Sequence, residues 1–233
     1  MKVEKMFDTI SPTYDRTNRI LSLGLDQYWR RQVAKFLPKK KPLYLLDCAT
    51  GTGDQLIALM EPTQTIGQAI GIDLATEMLR LGRQKIKEKP YKDKILLQEA
   101  SVTALPFSPN TFDCATISFG IRNVDNVPLA LTEMYRVLKP GGRIVVLEFS
   151  LPRSDILRTF HLFYLRKCLP YIGGWLSNNR DAYTYLNKTI EAFPSGQNFC
   201  GLLNNAGFIS ACAHPLTLGI VTLYVGDKPC LLG

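Results

Sequence analysis

The chain has 233 residues, 46% of them apolar, with 17 glycines, 14 prolines and no low-complexity tract; that length suits one α/β domain, and the composition excludes the apolar-poor signature of disorder. Its formal charge of +8 favours an anionic partner, but the basic residues are spread over Arg30-Arg31, Lys39 to Lys41, Arg80 to Lys94 and Arg166-Lys167, as on a solvated surface. Six cysteines without a Cys-x-x-Cys pair indicate neither a metal site nor a disulfide framework, and no apolar leader or run of about 18 apolar residues occurs, so the expectation is a cytoplasmic protein that does not span a membrane.

Residues 2–36 carry two helical patterns, the second with Asp26 as a plausible N-cap and continuing through Tyr28, Trp29, Val33 and Phe36; they read as an N-terminal helical cap, residues 1–41. Leu43 to Ala49 is a short apolar run that enters a glycine-rich turn, and a helix follows over Gln55 to Met60. The same unit recurs as Ala69 to Asp73 before a Thr76 to Lys87 helix, Ile95 to Gln98 before a loop, and Phe112 to Phe119 before a Val127 to Leu138 helix, with Arg143 to Phe149 a fifth strand. Alternation at this spacing implies parallel pairing within a core of residues 42–150, because a parallel crossover needs a dozen or more residues. Residues 151–195 break the pattern as an aromatic-rich helical insertion above the sheet. Residues 196–233 resume with a helix from Gly196 to Ala206 and two strands near Ile209 to Pro215 and Ile220 to Gly226 that could close the sheet edge.

The glycine turn Ala49-Thr50-Gly51-Thr52-Gly53-Asp54 lies at the mouth of the first strand, the edge at which open α/β sheets bind ligands. Gly51 and Gly53 permit close backbone approach, and Asp73, twenty residues after Gly53, can accept hydrogen bonds from both hydroxyls of a ribose. Leu56 occupies the third glycine position of Gly-x-Gly-x-x-Gly and argues against a dinucleotide pyrophosphate. S-adenosylmethionine carries no phosphate, and the ammonium of its amino-acid tail suits Asp47 or backbone carbonyls. Ser101, Val102 and Leu105-Pro106-Phe107 offer an adenine-side wall, Ser118 and Phe119 face the same mouth, and Lys139 to Arg143 is a tight turn remote from it.

Together, Asp-x-Ala-x-Gly-Thr-Gly-Asp, Leu-Pro-Phe, Phe-Gly-Ile-Arg-Asn-Val, Leu-Lys-Pro-Gly-Gly-Arg, Leu-Glu-Phe-Ser and the N-terminal Phe7-Asp8 to Tyr14-Asp15 signature closely resemble the ubiquinone/menaquinone biosynthesis C-methyltransferase family, demethylmenaquinone methyltransferases included, over nearly the whole chain. The resemblance implies a class I methyltransferase Rossmann-like sandwich with a seven-stranded, mostly parallel sheet, and S-adenosylmethionine as methyl donor. It places cofactor contacts at Thr52, Asp73, Ser101, Val102 and Ser118, joined on physical grounds by Asp47, Gly51 and Gly53. The chain departs from the family at Asn178-Asn179-Arg180-Asp181, where a Gly-Asp pair is common, and at Ser101; the first departure bears on which quinol ring is accepted.

The implied reaction is methylation of a ring carbon on a polyprenylated quinol, which becomes nucleophilic only when a neighbouring hydroxyl loses its proton. Arg122 is too basic to take that proton and is expected to stabilise the phenolate or orient a water, with Asn123 on the quinol oxygen and Tyr14 and Asp15 closing over the ring or completing a proton path. A surface salt bridge is the alternative for Arg122. His161 and His214 read as core or surface residues, His161 being an outside candidate base. The aromatic run from Ile156 to Leu176 suits an isoprenoid groove, contact with an anionic membrane surface, or a plain lid core. A methyltransferase for another lipid or phenol and a non-catalytic scaffold stay open. Nucleic acid is not expected as a partner, and monomer and homodimer are both compatible with the sequence.

Overall fold

A computed structural model describes residues 3–40, 42–61, 65–172 and 180–230. The Asn178 to Asp181 departure and Trp175 lie outside the residues whose side chains are described. Seven strands form one sheet: β1 (Leu43–Cys48), β2 (Ile66–Asp73), β3 (Ile95–Glu99), β4 (Phe112–Ser118), β5 (Leu138–Phe149), β6 (Ile209–Leu216) and β7 (Val221–Asp227), in the order β3-β2-β1-β4-β5-β7-β6. The first five are parallel, while β7 runs antiparallel between β5 and β6. A strand returning from the short β6 connection can only pair antiparallel, which slots the last strand inside the edge. The strand order reverses between β1 and β4, the switch point at which ligands bind in such sheets.

Helices α3 (Asp54–Met60), α4 (Thr76–Lys87), α5 (Val127–Val137) and α8 (Gln197–Asn205) flank the sheet. Every residue of β4 is buried, as a central strand covered on both faces must be. Helix α5 starts where Asn126 accepts the Leu129 N–H at 3.0 Å, with Pro128 in its first turn, a position that needs no N–H. Two residue-level expectations change. The cap's second helix, α2 (Leu25–Val33), is preceded by Gly24 at φ 79, and Asp26 lies inside its first turn, bonded by the Ser22 hydroxyl at 3.0 Å and by Arg19 at 2.9 Å. The Lys139 to Arg143 turn is absorbed into β5 as an irregularity in its pairing with β4, and Gly141 and Gly142 bond Lys228 far from the strands' carboxyl ends.

Helix α1 (Val3–Leu21) and α2 sit over the carboxyl edge, and the insertion contributes α6 (Asp155–Phe163), a π-helical turn over Tyr164–Cys168, and α7 (Arg180–Ala192). A small core of Met6, Leu165, Leu169 and Ile190 joins cap to insertion, and the Tyr164 hydroxyl donates to the Leu21 carbonyl at 2.8 Å. Segments far apart in sequence thus form one roof over the sheet edge.

Candidate functional site

Two cavities lie under that roof. The first, about 580 Å³, is lined by the glycine turn, Asp73 to Ala75, Ala100 to Thr103, Ser118 to Gly120 and Asn123 to Asp125. Gly51 and Gly53 adopt φ 55 and 78, so the turn needs residues without a Cβ. Ala49 and Phe119, at the exits of β1 and β4, hold positive φ at 49° and 59° despite their side chains, strain of the kind found at ligand sites. Gly51 lines the cavity; Gly53 does not, and serves as the N-cap of α3. Leu56 is fully buried beneath the turn.

Asp73 accepts the Gly51 N–H at 2.8 Å and the Ala75 N–H at 2.9 Å, one on each oxygen. Burial raises its pKa against those bonds, and an ionised carboxylate with about four acceptor positions has capacity left. Asp47 differs. It is 1% exposed and receives the Thr50 and Thr116 hydroxyls at 2.7 and 2.6 Å. Burial pushes its pKa from 3.8 up to about 6 although both hydroxyls and Arg30 favour the charged form. Asp47 lines the cavity and at the same time braces β1, β4 and the turn. Ser101 bonds Thr103 at 2.8 Å, Val102 is buried, and Ser118 donates to Gln55 at 2.8 Å.

The second cavity, about 560 Å³, lies between cap and insertion and is mostly apolar, with Leu21, Phe149, Leu165, Leu169 and Ile190 among its walls. Four buried polar atoms with no hydrogen-bond partner among the described residues belong to residues lining it: Arg30 Nε, Arg122 Nε, Asn123 Oδ1 and His161 Nε2. Buried polar groups are normally satisfied, so each is a position at which a ligand group is needed. Its rim carries Ile20, Leu23, Leu25, Phe160, Ile172 and Leu218, all exposed.

Tyr14, Arg30, Phe119 and Asn123 line both cavities. Phe119 packs on Phe149 at 4.7 Å, and the Arg30 guanidinium lies 5.2 Å from its ring centre. Burial raises the Tyr14 hydroxyl above its ordinary pKa, although Arg122 and Arg30 oppose this, so it is a protonated phenol at neutral pH. Arg122 is not a surface salt bridge. Its Nη1 donates to Glu148 at 2.5 Å and to the Phe119 carbonyl at 2.7 Å, and the two side chains are 4% and 0% exposed.

Asp15 lies apart from both cavities. It accepts the Thr52 hydroxyl at 2.7 Å and pairs with Lys85 at 2.6 Å, and Lys85 also binds Asp54 at 2.6 Å. Burial would raise Asp54, but Lys85 and Arg30 outweigh it and hold that carboxyl below its ordinary value. With both oxygens engaged, Asp15 is a latch between α1, the glycine turn and α4, and Thr52 belongs to the same latch. Residues that sequence reasoning passed over are Arg30, Gln55, Thr50, Thr116 and Glu148. Glu148 stood in the Leu-Glu-Phe-Ser motif and Thr50 in the glycine turn, but their roles, like those of the others, needed their partners to be visible.

Among the described residues no group of three or more His, Cys, Asp or Glu side chains could hold a metal ion, and no helix is long and apolar enough to cross a membrane. Residues 1–228 match the model of the ubiE/COQ5 methyltransferase family. A protein of Geotalea daltonii named ubiquinone/menaquinone biosynthesis C-methyltransferase UbiE is 44% identical over 227 residues, 97% of this chain and 96% of that one. A demethylmenaquinone methyltransferase of Bacteroides fragilis is 40% identical over 97% of this chain and 92% of its own. In fold, an S-adenosylmethionine-dependent methyltransferase of Thermotoga maritima, described as a possible histamine N-methyltransferase, superposes with a TM-score of 0.67 at 20% identity, covering 96% of this chain and 98% of its own.

Proposed function

Because the chain belongs to the ubiE/COQ5 methyltransferase family, we propose that it uses S-adenosylmethionine to methylate a ring carbon of a polyprenylated quinol, demethylmenaquinol or its benzoquinol counterpart. The observation that carries this reading is the pair of cavities, one polar at the sheet's switch point and one apolar under the roof, which share Tyr14, Arg30, Phe119 and Asn123. Two reactants held on either side of that junction are aligned for transfer, and alignment of this kind is worth roughly 7–11 kcal/mol. On this reading residues 1–41 are the cap, 42–150 the cofactor core, 151–195 the acceptor insertion, and 196–233 complete the sheet.

The first cavity suits the donor residue by residue. Asp73 has acceptor positions left for a ribose diol; Leu74, Met78 and Val102 offer an apolar bed for a flat base, with Ser101 and Ser118 at its edges. Arg30 has no carboxylate partner among the described residues and suits the carboxylate of an amino-acid tail. When bound, S-adenosylmethionine supplies an electrophilic sulfonium methyl group.

The chain's own part in the chemistry lies on the acceptor side. Arg122 Nε–H, buried and unpartnered, is the donor for a ring oxygen as it becomes a phenolate. The charge of Arg122 is balanced by Glu148, so it acts by a directed hydrogen bond in a dry site and not as a free cation. Asn123 Oδ1 accepts from a ring hydroxyl, and Tyr14 closes the junction as a neutral phenol. Incubation with methyl-labelled S-adenosylmethionine and each demethylated quinol under reducing conditions, followed by mass spectrometry of the lipid extract, tests the proposal. Label in the ring of one quinol is expected; label in neither, from protein that binds S-adenosylhomocysteine, overturns it.

The acceptor's tail needs an exit, and the exposed rim supplies one, continuous in kind with Ile156 and Phe163 along α6. Arg166 is paired with Glu191, and Arg158 bonds the Pro152 carbonyl, so the apolar stripe contributes more than the basic flank. We therefore place the enzyme peripherally on a membrane's inner face. Phe160→Asp is expected to abolish flotation with anionic liposomes; unchanged flotation contradicts this docking.

A further inference from the structure

His161 stands out among the orphaned polar atoms of the acceptor cavity. Arg30, Arg122 and Asn123 reach it from the cap and from the exit of β4, the side shared with the donor. His161 alone comes from the insertion. It is 9% exposed, lines the cavity, and its Nε2 is buried with no hydrogen-bond partner among the described residues. Of the other polar side chains in the lining, Ser22 and Asp26 bind each other, Trp29 donates to Thr217, Tyr164 binds Leu21, and Tyr14 bonds Asn18, while Tyr185 of α7 is a second polar group that the insertion brings to the cavity. A buried imidazole left unsatisfied weakens the fold, and a leucine would fill the same wall without that cost. Its retention in an apolar wall points to a ligand group.

We propose that His161 Nε2 is the hydrogen-bond partner of a ring hydroxyl of the bound quinol, a second polar anchor of the acceptor cavity contributed by the insertion. The inference rests on the quinol reading above. Two hydroxyls on one flat ring need two polar positions in an otherwise apolar chamber, and the structure has one set at the junction and a buried, unsatisfied one on α6, with Tyr185 of α7 also in the lining. Burial holds the imidazole below its ordinary pKa, so it is neutral at pH 7. In either tautomer a neutral ring nitrogen can serve, because a hydroxyl both donates and accepts. His161 then fixes which ring carbon faces the junction, while the hydroxyl beside Arg122 is the one that gives up its proton, to a water that Arg122 orients.

The test compares the full chain with His161→Phe and His161→Asn, measuring thermal unfolding, S-adenosylhomocysteine affinity, and KM and kcat for whichever demethylated quinol the wild type methylates. A ligand-binding histidine predicts that His161→Phe unfolds at the same or a higher temperature and binds S-adenosylhomocysteine within twofold of wild type, yet shows KM raised at least tenfold. His161→Asn, which restores a polar group, recovers part of that loss. A histidine that serves only packing predicts the reverse, a lowered melting temperature with KM unmoved, and that result overturns the proposal, as does an unchanged KM at any stability. Absence of methylated quinol from the wild type would sink the functional reading and this inference together; wild-type product with normal His161→Phe kinetics would sink the inference alone.

Discussion

The two cavities have nearly the same volume, about 580 and 560 Å³, yet they are built by opposite means. The donor-side cavity is made of strand exits, and its acids already have partners: Asp47 its two threonines, Asp73 two backbone amides. The acceptor-side cavity is roofed by helices from residues 3–33 and 155–192 folded over the sheet, and four of its buried polar atoms have no partner among the described residues. A site whose ligand is polar throughout can be preorganised by backbone. A site that must seat a small polar ring on a long apolar tail keeps a few unsatisfied groups inside a greasy wall and accepts the loss of stability.

The largest effect expected from this contrast is at Glu148. Glu148→Ala strands a buried guanidinium and should destabilise the fold by about 3–5 kcal/mol in denaturant unfolding. For the same reason Arg122→Ala alone confounds folding with chemistry. Replacing both, Arg122→Met with Glu148→Leu, should return stability to near wild type and still abolish methyl transfer; normal turnover in that double variant would remove Arg122 from the reaction.

On the donor side the sign of a pH effect tests whether Asp47 is a brace. A carboxyl raised in the folded state to about 6 from 3.8 stabilises fully below pH 4, and that stability is lost as pH rises through 6. Asp47→Asn should therefore melt like wild type at pH 4 and be more stable at pH 8 by up to about 3 kcal/mol, at 1.36 kcal/mol per pKa unit, since both threonine hydroxyls can turn to suit an amide. A variant less stable at pH 8 would show that the charge itself is needed.

Asp73→Asn sharpens the same side. Affinity for S-adenosylhomocysteine should fall about tenfold, roughly 1.4 kcal/mol, by calorimetry, with quinol KM unmoved; an equal loss on both sides would erase the distinction between the cavities. The smallest effect belongs to the latch. Lys85→Ala removes a partly exposed ion network worth at most about 1 kcal/mol, and should quicken S-adenosylhomocysteine release in stopped flow more at low salt than at high.

The same contrast explains what was legible in the sequence. The strands, the glycine turn and Asp73 follow from local pattern, because a parallel strand, its turn and its helix are contiguous and each residue's neighbours are known in advance. The antiparallel insertion of β7 between β5 and β6 was not, since Ile220 to Gly226 reads the same inside a sheet as at its edge. The partnerships of Arg122 with Glu148, 26 residues away, and of Asp15 with Thr52 and Lys85 have no periodic signature. They give Arg122 a buried, neutralised setting where the sequence left a surface salt bridge open, and they tie Asp15 to the glycine turn and α4. Arg30 was read as one member of a basic cluster until its place at the junction was seen.

A crystal structure with S-adenosylhomocysteine tests the division between the cavities most directly. The ribose hydroxyls should lie on Asp73, the amino-acid carboxylate on Arg30, and the sulfur at the junction of Tyr14, Phe119 and Asn123, with the chamber beside Phe160 and His161 left open to a quinol. A nucleoside seated in that chamber, with Asp73 bonded only to Gly51 and Ala75, would contradict it.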